Sequence, residues 1–131
     1  MPIDTLAATL LIVWSFAKID RNGEFAFNPN RKDFKLDDFL QKLLEFSTMK
    51  WSELFPPDER KSRHHALKES SLSKQALTRI EALKLDEEID NLFSLALSGK
   101  VRLIGIREGA VFQVVWYDAN HEFAPSTKKH T

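Results

Sequence analysis

Apolar and polar residues alternate with different periods along successive stretches of the chain, and each change of period marks an element. Residues 9–19 are rich in β-branched and aromatic side chains, and after Asp20-Arg21-Asn22-Gly23 the stretch Glu24-Phe25-Ala26-Phe27-Asn28 alternates with a period of two. Asn-Gly between such runs predicts a β-hairpin, because both residues tolerate the positive φ of a type I′ turn. Over 33–49 the period lengthens: Phe39, Leu40, Leu43, Leu44 and Phe46 recur at three- and four-residue steps, with Asp37 and Asp38 where a helix N-terminus favours negative charge. This predicts an amphipathic helix, then a short helical piece over 51–55 that Pro56-Pro57 stops. A second main helix is expected from an N-cap at Ser70 or Ser71 to about Lys84, with Leu72, Ala76, Leu77, Ile80 and Leu83 along one face.

The strongest β signal follows over 92–97, 100–107 and 110–117, separated by Ser98-Gly99 and Glu108-Gly109, and it predicts a three-stranded meander. A short fourth strand is expected around 122–124. With Glu108-Gly109 as the turn, Gly105 pairs with Phe112, Leu103 with Val114 and Val101 with Trp116, giving an apolar face for helices to cover. Arg102, Gln113 and Tyr117 then share the opposite face. An arginine there either marks a site or snorkels to the sheet edge. The expected fold is α+β: an antiparallel sheet, made of an N-terminal hairpin and a C-terminal β-meander, packed against two main α-helices. One domain spans 1–131, with an exposed tail from about 126. Whether the two β units share one sheet stays open.

Composition narrows the class. With 43% hydrophobic and 29% charged residues, ten Phe and only four Gly in 131 residues, the chain is of the packed globular kind, not disordered or collagen-like. Zero Cys excludes disulfides, thiolate catalysis and cysteine-ligated metal centres, and with it a cytoplasmic location is expected. The longest apolar run, 6–17, is interrupted by Thr9 and Ser15 and falls short of the roughly 20 residues that span a bilayer, so no membrane partner is expected. No basic stretch precedes that run, so no secretory signal is expected. Nineteen basic and nineteen acidic residues cancel overall but not locally, since 60–84 holds seven basic residues against two acidic.

Within that basic middle, Arg60, Lys61, Arg63, His64, His65 and Lys68 fall in nine residues. Gathered on one face they would bind RNA phosphates; otherwise they form a solvated loop. The sequence has no phosphate-binding glycine loop, dinucleotide fingerprint, nucleophile elbow, His-Glu-x-x-His or calcium loop, and no cofactor is expected. Its histidines, His64, His65, His121 and His130, stand in polar or basic stretches, and such residues can titrate near neutral pH. Metal-free RNA cleavage by a ribose 2′-hydroxyl needs a base, an acid and cations, which His, Arg and Lys supply. His121 in Asp118-Ala119-Asn120-His121 would project from a sheet edge as the acid/base, with Asp118 orienting its ring. The alternative is a turn histidine bonded to backbone. His64-His65 would supply a second proton-transfer group or grip a phosphate. Neighbours in a strand point to opposite sides, so no metal site is expected. Lys128 and Lys129, beside His130, form either an RNA contact or a solubilising tail. Tyr117 stands close to the His121 turn, where its phenol would meet solvent or substrate.

From Leu95 the string Leu-Ala-Leu-Ser-Gly-Lys-Val-Arg-Leu-Ile-Gly-Ile-Arg-Glu-Gly-Ala-Val-Phe-Gln-Val-Val-Trp-Tyr-Asp-Ala-Asn-His resembles small bacterial proteins that end in a strand, turn, strand and Asp-x-x-His pattern. That likeness covers 64–131. More distantly, a helix followed by Leu-x-Gly, an Arg-bearing strand, a tight turn and a last apolar strand resembles the C-terminal half of RelE/ParE-type toxins, over about 72–124. This resemblance implies a ribosome-dependent messenger-RNA endonuclease or a gyrase poison, neutralised by a partner antitoxin. It also implies that Arg102 or Arg107 stabilises cleavage charge and that Tyr117 or His121 holds the C-terminal catalytic position. Such toxins are commonly strongly basic and open with one strand and a helical hairpin, whereas this chain is neutral, opens with a predicted β-hairpin and adds a helical region over 33–55. The leading expectation is therefore a toxin-like ribonuclease or translation-targeting protein acting on RNA or the ribosome. The alternatives are a non-catalytic protein-binding module of a phage-defence or mobile-element system and a small-ligand domain with its pocket between helices and sheet.

Overall fold

The computed structural model describes residues 8–125. Strand β1 (Val13–Ser15) is followed by helices α1 (Leu36–Phe46) and α2 (Trp51–Leu54), a two-residue strand β2 (His65–Ala66) and helix α3 (Lys74–Ala82). The meander of β3 (Leu92–Ser98), β4 (Val101–Glu108) and β5 (Val111–Asp118) comes last. All five strands form one sheet in the order β1-β5-β4-β3-β2, with β1 parallel to β5 and every other pair antiparallel. The fold is α+β and its sheet is mostly antiparallel. Among the described residues no helix is long and apolar enough to cross a membrane.

Both faces of the sheet are covered. The apolar stripe of α1, Phe39, Leu43 and Phe46, joins Trp51 and Leu54 of α2 over Leu95, Leu103, Phe112 and Val114. On the other face Ala76 and Ile80 of α3 pack with Phe25 and Phe123 over Leu92, Ile104, Ile106 and Trp116. Each large apolar side chain buried here contributes about 1.5–3 kcal/mol. Asp37 and Asp38 sit in the first turn of α1, whose N-terminus has no side-chain cap. Helix α3 is capped by Ser73, whose hydroxyl accepts from Ala76 N at 3.1 Å. The expected caps Ser70 and Ser71 instead belong to, or adjoin, the 3-10 turn Glu69–Ser71.

The N-terminal hairpin does not form. Asn22 and Gly23 form a bend, with Gly23 at φ 87°, but its flanks pair with β5 and not with each other. Val13–Ser15 takes β5 residues Val111 to Gln113 as parallel partners. Further along the same edge Ala26 bridges Trp116, and Tyr117 N donates to Phe25 O at 3.0 Å. One open edge of β5 thus satisfies both segments, and an isolated two-stranded hairpin is at best marginally stable in water. The loop is pinned by Asp20, which is buried. Its carboxylate accepts from Arg79 Nε at 2.7 Å, Arg79 Nη2 at 2.8 Å and Trp116 Nε1 at 2.9 Å.

The meander departs from expectation in register. Glu108 pairs with Val111, so the two-residue turn is Gly109-Ala110, with Gly109 at φ 61°. A β-bulge then falls between Ile104 and Gly105: Gly105 pairs with Val114, Ile104 with Trp116, and Val115 is the extra residue. Beyond the bulge every side chain of β5 changes face. Trp116 therefore packs on the α3 side, while Tyr117, opposite Leu103, turns to the α1 side. The expected fourth strand at 122–124 is also absent. The chain turns there because Asp118 holds it, and Phe123 inserts against Trp116, with ring centroids 4.7 Å apart.

Candidate functional site

On the α3 face, the strands nearest β2 are left uncovered by the helix, and the segment 59–71 folds over them to leave a cleft of about 490 Å³. Its floor follows from the strand register. In one row His65 of β2 stands opposite Ser94 of β3, which stands opposite Ile104 of β4. In the next row Ala96 is opposite Arg102, and Arg102 is opposite Asp118. Arg63 and Lys68 line the cleft beside His65, and His121 closes it from the turn after β5.

Two guanidinium groups converge here on one carbonyl: Arg63 Nη2 donates to Gly99 O at 2.8 Å and Arg102 Nη1 to the same oxygen at 2.7 Å. Among the described residues no carboxylate lies within 4.0 Å of the charged nitrogens of Arg63, Lys68 or Arg102. Burial, followed by the charge of Arg63, pushes the Arg102 pKa down, against the opposing pull of Asp118; a guanidinium nonetheless stays protonated at neutral pH. The result is a concave site whose lining carries three fixed cations, Arg63, Lys68 and Arg102, against two carboxylates, Glu59 and Asp118.

His121 occupies a left-handed backbone conformation, φ 58°. Asp118 sets that turn without touching the ring: its carboxylate accepts from Glu122 N at 3.0 Å and Phe123 N at 2.8 Å. The expected Asp-to-imidazole contact is thus replaced by an Asp-to-backbone clamp, because the two N–H groups of the tight turn have no other acceptor. Burial first, and then the charge of Arg102, lower the His121 pKa; Asp118 and a backbone hydrogen bond at Ala124 oppose that shift.

The basic stretch divides between the two sides of the sheet edge. His65 enters the cleft, but His64 points away, packs against Phe46 at 5.0 Å and Phe55 at 6.2 Å, and accepts from Ala96 N at Nδ1, 3.0 Å. Burial, with the charges of His65, Arg63, Arg102 and Lys42, brings its pKa to about 4. His64 is a neutral structural group, and the RNA-binding expectation for it is corrected. Arg60 pairs with Asp58 at 3.0 Å, and neither it nor Lys61 lines the cleft. Lys128 and Lys129 lie outside the described residues, as does the tail from 126.

Two further expectations are corrected by the bulge and by the α1-side packing. Tyr117 is buried away from Arg102, its ring 4.8 Å from Phe34 and its hydroxyl 3.4 Å from Asp33 O. Arg107 lies on the same α1-side face, its guanidinium 4.3 Å from the centre of the Trp51 ring, where the cation meets the negative π-face. Neither reaches the cleft. Sequence reasoning passed over Ser94, a buried serine on the cleft floor; its signal is a polar residue inside the run Leu92-Phe93-Ser94-Leu95-Ala96-Leu97.

Among the described residues no group of three or more His, Asp or Glu is arranged to hold a metal ion. A second hollow, of about 440 Å³, lies between the loop 23–25 and α3, but its arginine, Arg79, is already committed to Asp20. The first cleft therefore has the chemistry to hold an anion between cations and to move protons through two imidazoles. Comparison of the chain with protein-family models, with curated proteins and with solved structures finds no match.

Proposed function

We propose that this protein is a toxin-like, metal-independent endoribonuclease that binds single-stranded RNA in the cleft and cleaves it by attack of a ribose 2′-hydroxyl on the adjacent phosphorus. One observation carries the reading: His65 and His121 share a cleft with Arg63, Lys68 and Arg102, whose charged nitrogens have no carboxylate within 4.0 Å among the described residues. The lowered pKa of His121 keeps its imidazole neutral near pH 7, the form that accepts the 2′-hydroxyl proton. The O2′–P bond forms and the P–O5′ bond breaks. His65 donates a proton to O5′, leaving a 2′,3′-cyclic phosphate and a 5′-hydroxyl end. Arg63 and Arg102 meet the charge that grows on the non-bridging oxygens.

The order of elements supports the toxin likeness. A first strand, then helices interrupted by the two-residue β2, then an Arg-bearing meander is what remains once the predicted hairpin is replaced by β1 alone. A neutralising protein partner also has a surface to meet, since Leu36, Leu40 and Leu44 stand four residues apart on α1 and are 47% to 65% exposed. That stripe equally favours a second reading, a non-catalytic protein-binding module, in which RNA stays intact.

The test is to induce wild type and His121→Ala in a bacterial host and to follow growth and RNA integrity, with purified protein assayed on single-stranded RNA and on ribosomes carrying messenger RNA. Wild type should cleave, and folded His121→Ala should lose about 10²–10⁴-fold in rate. Because protonation of the base stops the reaction, the acid limb of the rate profile should lie below the ordinary histidine pKa of 6.5. Intact RNA in every wild-type assay would sink the ribonuclease reading.

A further inference from the structure

The floor of the cleft holds a polar group that the proton-transfer scheme does not use. Ser94 is 6% exposed and lines the cleft, yet its hydroxyl makes no hydrogen bond among the described residues. Its oxygen is not among the buried polar atoms left without a partner, so it opens onto the cleft and meets whatever enters there. Its strand neighbours Leu92, Leu95, Ala96 and Leu97 are all buried and apolar, so packing alone favours a hydrocarbon side chain there. Across the strands it faces His65 on one side and Ile104 on the other, and directly opposed side chains on antiparallel strands lie about 5 Å apart at Cβ. Ile104 has no polar atom to give, and the next row of the floor adds the guanidinium of Arg102. The group that bonds this hydroxyl enters from solvent, into a surround of Arg63, Arg102, Lys68 and His121, with the carboxylates of Glu59 and Asp118 also on the lining.

Three cations on the lining, Arg63, Lys68 and Arg102, outnumber the two carboxylates, which favours an anion with several acceptor oxygens. The cleft lining contains no Asn, no Gln and no aromatic ring apart from the two imidazoles, so it lacks the carboxamides and stacking platforms through which proteins often recognise bases. We infer that Ser94 is a ligand of the phosphate group that the cleft receives, its hydroxyl donating to a non-bridging oxygen between His65 and Arg102, so that the site grips ribose-phosphate and not the base. This inference rests on the reading of the cleft as an RNA site.

The experiment titrates inorganic phosphate into the full-length protein, wild type and Ser94→Ala, followed by amide NMR, with RNA cleavage measured in parallel. Wild type should show shifts concentrated at Ser94, His65, Arg102 and His121. The alanine variant, whose spectrum elsewhere reports an intact fold, should bind at least about fivefold more weakly, the loss of one hydrogen bond to an anion. Ser94→Thr, which keeps the hydroxyl, should recover most of that binding. The 3′-monophosphates of adenosine and uridine should bind within about threefold of each other, since no group is placed to discriminate their edges. Equal phosphate binding by wild type and Ser94→Ala overturns the inference and leaves the RNA reading standing. Absence of phosphate shifts in the cleft of wild type overturns both. Ser94-dependent phosphate binding without RNA cleavage supports the anion ligand and removes the ribonuclease.

Discussion

His64 and His65 are adjacent in sequence and opposite in role, and the difference makes a stability prediction. Nδ1 of His64 accepts a hydrogen bond from Ala96 N, which only an unprotonated nitrogen can do. Burial, reinforced by the charges of His65, Arg63, Arg102 and Lys42, depresses its pKa to about 4 in the fold, against about 6.5 in an unfolded chain. Between those values the unfolded state binds more protons. This contribution to stability is therefore present above pH 6.5, is lost as pH falls towards 4, and amounts to about 2–3 kcal/mol at most. In His64→Asn the amide oxygen takes the same N–H without titrating. Denaturant unfolding at pH 7 and pH 4 should show a smaller acid loss for the variant than for wild type; an equal loss would mean that His64 does not titrate as its surroundings require. At this scale alternation along the strand already separated the two imidazoles in the sequence. What it could not tell was which one would face the cations, because β2 is only two residues long and its pairing with β3 sets its faces.

At the scale of elements, periodicity located α1, the short α2, α3 and all three strands of the meander, because each buries a continuous stripe of apolar side chains. Pairing was less legible, since a strand edge is satisfied by any backbone that reaches it. The segments either side of Asn22-Gly23 read as partners and instead lie in series along β5. The bulge at Ile104/Gly105 left no mark in the hydrophobic pattern of β5, because Val111 to Tyr117 is apolar on nearly every position. It nevertheless decided the candidate site, since it moved Tyr117 out of the cleft side and set Asp118 beside Arg102. Gly105 shows why the bulge fits: a Cβ there would strike the carbonyl oxygen of Gln113 and the ring of Phe112. Gly105→Ala must displace backbone or a fully buried ring, so it should destabilise the fold by about 1–3 kcal/mol. Thermal unfolding measures this, and a melting temperature within a degree of wild type would show that the bulge relaxes without strain.

At the scale of the whole molecule, a neutral chain carries a cationic cleft because its charges are sorted by the fold. Arg79 is spent on Asp20, Arg31 on Asp33 and Arg60 on Asp58, while Arg63 and Arg102 are held by the Gly99 carbonyl, which orients them and leaves their charge intact. Overall charge therefore predicts weak attraction to RNA, and the local field predicts contact with a few phosphates only. If Arg63, Lys68 and Arg102 each neutralise one phosphate, binding of a single-stranded oligonucleotide should fall with salt at a log–log slope of about −2, against about −0.7 for one contact. Arg63→Ala, which removes a surface cation and no core atom, should reduce that slope by about 0.7 while weakening binding to all sequences alike. Fluorescence anisotropy from low to physiological salt measures both quantities. A slope near zero would place the RNA outside the cleft, and a much steeper one would bring in basic residues beyond these three. Between those limits, the salt slope counts the phosphates held by the cleft.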